Sequence, residues 1–409
     1  MADPLLLPFA AIRPELGRAQ DVIARPYDVV TAEEARQGAA GRPHSFLHVS
    51  RAEIDLPAGT DPYGDAVYAG AGRALAGMLA DGVLIREGRP CFYIYRMQAD
   101  GHTQTGIAAA APIAAYESNR VRRHEHTRPA KEIDRARQIL AVGAHTGPVL
   151  AAFAPDQQVS EILAAATAAA PIADATTDEG TRHQVWRLDD LDTERRLRDH
   201  FAAEDAIYIA DGHHRSAAAA RVYRQHGAGD GHFLVIAFPE NELRILGYNR
   251  IVRDLNGMDR EAFLAACGQA FAIAPADAAV LPGERSTFGM FLDGRWFSLS
   301  LRQPPGAAAS PVDRLDVSLL SRHLLEPVLG IGDPRTDPRI DFVGGGRGLN
   351  DLERRVRSGE AAVAFSLFPT AFADVIAVAD AGEVMPPKST WFEPKLADGL
   401  LSLPLHAQS

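Results

Sequence analysis

The chain has 409 residues, with 42 Lys and Arg against 53 Asp and Glu and a formal net charge of −11. Such acidity opposes non-specific nucleic-acid binding, which needs Lys and Arg in excess at the contact, while a local basic patch over residues 120–128 suits a small anion. Cys91 and Cys267 have no zinc-ligand spacing, no apolar run nears the ~20 residues that span a bilayer, and the N-terminal Leu5-Leu6-Leu7 run lacks a basic lead, so a soluble cytoplasmic protein is expected.

Residues 66–79 carry an apolar stripe at helical spacing and stop at Asp81-Gly82. Residues 91–96 alternate and are rich in aromatics, predicting a strand; Gly101 turns the chain, and residues 103–112 return as the second strand of a hairpin. Pro129 suits a first helical turn, having no N–H to leave unpaired, and residues 130–140 continue in good helix formers. Residues 157–170 and 193–202 read as helices, 184–188 as a short strand and 206–209 as a buried strand. The continuous apolar run 233–238 is a buried strand, with 243–247 its expected hairpin partner. Asp293-Gly294 joins the strands of a second hairpin, 287–292 and 296–301; residues 303–310 form a loop and 316–329 a helix. Gly344-Gly345-Gly346 lacks the spacing of a dinucleotide or P-loop motif and reads as a turn. The pattern predicts an α+β fold with mixed sheets: a core over 1–250, an appended α+β region over 251–310, and a C-terminal region over 311–409 that returns to the core.

The most informative stretch is 208–220, a strand end, the turn Asp211-Gly212-His213-His214-Arg215, and an Ala-rich helix start. A helix N-terminus presents unpaired N–H groups and partial positive charge, and so attracts anions. Arg215 adds a planar donor fork, and Asp211 a carboxylate able to meet Mg²⁺ or take a proton. Asp211 is equally suited to capping the helix. Three more polar clusters accompany this turn. They are Arg25-Pro26-Tyr27-Asp28; Arg123-His124-Glu125-His126-Thr127, running on through Arg128 to Lys131, Asp134 and Arg135; and the segment 385–395 with Lys388-Ser389-Thr390. Each has a plain structural alternative: a type I turn for the first, a solvated helix cap for His124-Glu125, and a packed terminal strand around Trp391 and Phe392 for the last.

In order and spacing the four clusters resemble the DUF1015 family, over nearly the whole chain. The Asp211–Arg215 turn is similar, over a short stretch, to the phosphate-binding turn of the ParB/sulfiredoxin-like superfamily and to the Asp-Gly-x-His-Arg turn of its free-serine kinases. The resemblance implies a ParB/sulfiredoxin-like nucleotide-handling core, ATP and Mg²⁺ as cofactors, and phosphorylation of a small hydroxyl metabolite such as free L-serine. In that scheme Gly212, His213, His214, Arg215, Arg128, Lys131, Lys388, Ser389 and Thr390 hold the nucleotide phosphates. Asp211, Glu125, His124 and Asp28 are the catalytic candidates, with Asp211 also the metal ligand, and Arg25, Tyr27, Thr127, Asp134 and Arg135 contact the substrate. Two other classes stay open. A metal-dependent hydrolase would use His124, His126, His213, His214 and Asp211. A non-enzymatic ParB-like nucleotide- or DNA-binding protein is opposed by the acidity and by the lack of a basic helix-turn-helix. The expected partners are a nucleotide and a small molecule, with no membrane; the sequence carries no signal of oligomeric state.

Overall fold

A computed structural model describes residues 3–306 and 308–406, and the chain divides into two compact units. The first comprises the chain up to Arg123, Thr127–Leu243 and the chain from Pro394 onward; the second comprises His124–His126 and Arg244–Glu393. Both mix helices with sheets, giving the α+β class.

The first unit is built on an eight-stranded mixed sheet. Its strand His232–Pro239, buried at every position but the first, arises from the continuous apolar run, which needs cover on both faces. This strand pairs in parallel with Val149–Phe153 and antiparallel with His102–Pro112. The Tyr93–Ala99 strand joins His102–Pro112 through Asp100 and Gly101, both at positive φ, as a tight hairpin turn requires. Ile207–Asp211 lies beside Val149–Phe153, which brings the Asp211 turn next to the start of that strand. Two helices of 14 residues each, Pro129–Val142 and His213–His226, run alongside one another; Ala136 and Ile139 of the first share an apolar cluster with Ala218 and Val222 of the second. Pro129 occupies the first turn of its helix as expected, and Gly143 ends that helix in the left-handed region.

The second unit holds a six-stranded antiparallel sheet. Thr287–Leu292 and Arg295–Leu301 form the expected hairpin, with Asp293 and Gly294 both at positive φ in its turn. Two expectations fail. Ile245–Leu246 pairs with Trp391–Phe392 rather than with the 233–238 run, because both edges of that buried strand are already taken. The 316–329 segment is not one helix. An α-turn over Asp316–Leu320 widens into a π-helical Ser321–Leu325, and Pro327 cannot supply the N–H that would continue it. Among the described residues no helix is long and apolar enough to cross a membrane.

Candidate functional site

The strand Ile207–Asp211 ends at Gly212, whose φ of 96° lies in the left-handed region. A Cβ there would sit 3.3 Å from the Val149 Cα and 3.4 Å from the Arg215 Cδ, so both backbone conformation and space call for glycine. The Gly212 carbonyl accepts from the N–H groups of Arg215 (2.8 Å) and Ser216 (3.1 Å), which starts the helix. Asp211 does not cap it: its Oδ1 accepts from the N–H of Gly212 (2.9 Å) and its Oδ2 from the Nζ of Lys395 (3.0 Å). Burial pushes the Asp211 carboxyl up, but the charges of Lys395 and Arg215 outweigh it and hold the group below the usual carboxylate range.

Arg215 and His213 are buried, while Asp211, Gly212 and His214 are half-buried. The Arg215 guanidinium is therefore an enclosed strut rather than the open fork that the sequence suggests. It donates to the Pro148 carbonyl (2.7 Å) and to the Asp28 carboxylate (2.8 Å). Asp28 is itself exposed. Tyr27 lies against two guanidiniums, with Arg135 4.0 Å and Arg215 5.3 Å from its ring centre, the geometry of a cation–π stack. Burial, then the Asp28 charge, push the Tyr27 hydroxyl up to about 12, so it stays protonated at neutral pH. Arg135 pairs with the buried Asp134 at 2.8 Å, and Asp134 accepts from the Tyr68 hydroxyl at 2.8 Å.

The two parallel helices meet at their beginnings. The N–H of Arg128, just before the first helix, donates to the Nε2 of His214 in the first turn of the second (3.0 Å). His214 thus accepts through Nε2, which assigns its proton to Nδ1. Arg128 and Lys131 are exposed there, and the Lys131 Nζ lies 3.2 Å from the Tyr63 hydroxyl. Thr127 donates to Glu132 within the first turn.

Other expected residues have partners of their own. Arg25 pairs with Glu179 (2.6 Å) and faces Asp178, in the turn that joins the edge strand Ala173–Thr176 to Arg182–Arg187. His124, Glu125 and His126 group with the second unit, where the His124 carbonyl accepts from the N–H of Met385 (2.8 Å). Lys388, Ser389 and Thr390 are also in the second unit. The Ser389 hydroxyl donates to the Pro386 carbonyl (2.6 Å), and Lys388 is exposed at a φ of 59° with its Nζ 5.6 Å from the Tyr248 ring centre. Among the described residues no three or more His, Cys, Asp or Glu are grouped to hold a metal ion, so the hydrolase alternative gains no ligand set. Mg²⁺ needs less, commonly one or two carboxylates plus phosphate oxygens, and Asp211 and Asp28 are compatible with that.

Two residues of this centre were not among the expected ones, Lys395 and Asp398. Asp398 lines a small cavity with Tyr27, Arg135, His145 and Arg215. Its tripeptide Ala397-Asp398-Gly399 matches Ala210-Asp211-Gly212, but also Ala80-Asp81-Gly82 and Ala99-Asp100-Gly101, so it marks a turn and not a site. Gly399 and Gly212 take the same conformation, with φ of 95° and 96°.

Among solved structures, SbnI with a C-terminal truncation from Staphylococcus aureus is 13% identical, with a TM-score of 0.39 over 73% of this chain and 87% of that one. A free serine kinase in complex with AMP is 13% identical, with a TM-score of 0.37 over 73% of this chain and 91% of that one. A conserved hypothetical protein from Pyrococcus furiosus is 14% identical, with a TM-score of 0.36 over 72% and 94%. Likeness this distant bears on neither activity nor substrate. No curated protein matches the chain. The model of the DUF1015 family, described as a protein of unknown function, matches residues 6–318, and the chain belongs to that family.

Proposed function

We propose that this protein is an ATP-dependent phosphotransferase acting on a small hydroxyl metabolite, with free L-serine the first candidate, and that its first unit is a ParB/sulfiredoxin-like nucleotide-handling core. The observation that carries the reading is the meeting of two 14-residue helix N-termini at the Arg128–His214 hydrogen bond. Each terminus contributes about half a positive charge, and Arg128 and Lys131 add full charges at the surface there. Phosphoryl transfer is catalysed mainly by positioning and by stabilising negative charge on the moving group.

In this reading the positive end of the helix that starts at the Gly212 turn, together with Arg128 and Lys131, receives the nucleotide phosphates. Arg215 acts indirectly: by holding Pro148 and Asp28 it fixes the loop before the Val149–Phe153 strand and aims a carboxylate. Asp28, exposed on one side and anchored by Arg215 on the other, takes the proton of the acceptor hydroxyl; the oxygen bonds to the γ-phosphorus and ADP leaves. Asp211 is less open than Asp28 and both its oxygens already accept hydrogen bonds, from the Gly212 N–H and from Lys395, so it is the poorer base; its ionised carboxylate would be the one to meet Mg²⁺. When bound, Mg²⁺ would neutralise charge on the phosphates. All these residues lie in the first unit.

Incubation with ATP, Mg²⁺ and a panel of amino acids, hydroxy acids and polyols, read by ³¹P NMR, tests this. A phosphomonoester product and ADP in equal amounts are expected. No product with any acceptor, and no ATP binding by calorimetry, would overturn the reading.

A further inference from the structure

We propose that the cavity beside Arg215 receives the primary ammonium group of a small metabolite, with the Asp398 carboxylate as its counter-ion. This deepens the phosphotransferase reading by naming the acceptor as an amine-bearing hydroxyl compound, and it rests on that reading only for the ligand's role.

Three of the cations about the turn are each paired with a carboxylate. Arg215 pairs with Asp28 at 2.8 Å, Lys395 with Asp211 at 3.0 Å, and Arg135 with Asp134 at 2.8 Å. Asp398 is a further carboxylate. It is 1% exposed, and neither of its oxygens has a hydrogen-bond partner; the Tyr27 N–H approaches it without meeting hydrogen-bond geometry. A buried carboxylate with no partner is costly unless a ligand supplies one.

The neighbours do not supply that cation. His145, which lines the same cavity, is pushed down to about 4, first by burial and then by His232, so it is neutral near pH 7. Tyr27 and Tyr95 are neutral phenols there, both pushed up chiefly by burial. Arg215 and Arg135 already serve Asp28 and Asp134. Burial accordingly raises Asp398 to about 7, against the opposing pull of Arg215.

The cavity has two further unsatisfied groups, the Arg215 Nε and the Ser50 Oγ. A ligand with an ammonium for Asp398 and an oxygen acceptor for the Arg215 Nε would satisfy both signs of charge. The cavity holds about 30 Å³. That is room for an ammonium head and little more, so the rest of the ligand lies at the mouth.

The test is calorimetry on the full chain at pH 8, without nucleotide. L-serine is compared with D-glycerate, and ethanolamine with ethylene glycol; the remaining standard amino acids are surveyed by thermal shift. Each amine that binds should do so at least about tenfold more tightly than its amine-free counterpart. Serine without ethanolamine marks an amino-acid site; both together mark an amino-alcohol site. Affinity should fall as pH drops from 8 to 6, as Asp398 takes up a proton. Asp398→Asn should abolish the amine preference while retaining ATP binding. Equal binding of the amine-free compounds, no binding of any amine, or an amine preference that survives in Asp398→Asn overturns the proposal. Transfer to glycerol without amine preference would overturn it and leave the phosphotransferase standing; amine binding without transfer would do the reverse. The wild-type comparison decides even if the variant does not fold.

Discussion

Arg215, in the first turn of a helix of the first unit, and Arg250, in the strand Tyr248–Val252 of the second, are both buried, and the two are treated differently. Arg215 in the first unit bonds to a carboxylate and a carbonyl, keeps its Nε unused, and sits among four acidic groups that raise its pKa against the opposing effect of burial. Arg250 in the second unit is equally buried but bonds only to backbone carbonyls, those of Tyr248 (2.7 Å) and Lys388 (3.0 Å) with longer contacts to Asn249 and Pro387. It stacks 4.6 Å from the Phe342 ring centre, and burial pulls its pKa down to about 10. Among the described residues no carboxylate pairs with it. Arg250 is a clamp that shapes the Pro387–Lys388 loop. Arg215 belongs to a network with unsatisfied groups, and unsatisfied groups are what a ligand completes.

The largest effect that would test this contrast is on the clamp. Arg250→Met strands several buried carbonyls and should cost about 3 kcal/mol or more in chemical denaturation, while ATP and amine affinities of the folded protein stay as they were. Loss of binding with stability intact would break the distinction. Next in size is a gain. Asp398, raised to about 7 by burial, binds a proton more tightly folded than unfolded, so stability falls as pH rises from about 4 through 7. Asp398→Asn should therefore be more stable than wild type at pH 8, by on the order of 2 kcal/mol, with the difference fading towards pH 4. A variant less stable at pH 8 would mean that the carboxylate has a partner.

Gly212→Ala forces a Cβ into the left-handed turn against Val149 and should cost about 1–2 kcal/mol, measured by thermal unfolding. The smallest expected effect is at Asp211, whose lowered pKa gives stability that is complete above the unfolded carboxyl range and lost as pH falls through its lower folded value. Asp211→Asn should cost about 1 kcal/mol at pH 7, discounted for the partial exposure of the Lys395 pair, and the deficit should shrink below pH 4. A deficit that does not change with pH would place the effect in the turn rather than in the charge.

How much of this was legible in the sequence follows from what each residue needs. Pro129, the Asp293-Gly294 turn and the 233–238 run announce their structure locally, since a missing N–H, a positive φ and a continuous apolar stretch each have few homes. The Gly212 turn was likewise readable. The direction in which Arg215 points was not: its partners, Pro148 and Asp28, are 67 and 187 residues away, and a fork open to phosphate has the same sequence as one closed on a carbonyl. Asp398 lies just past the 385–395 segment, between Ala397 and Gly399; its importance comes from the partner it lacks, and only tertiary structure shows an absence. The Ala-Asp-Gly tripeptide is no cue, since it also stands at 80–82 and 99–101. The failed hairpin at 243–247 has the same origin, because strand partners are set by which edges remain open.

The central claim is that the paired helix beginnings at Arg128 and His214 hold nucleotide phosphates. Calorimetric titration of Mg²⁺·ATP into wild type and Arg128→Glu addresses it directly, since Arg128 is exposed and its reversal should leave the fold intact. Saturable one-to-one binding in wild type, weakened at least about tenfold in the variant, is the predicted result. No binding to wild type, or equal binding to both, would contradict it.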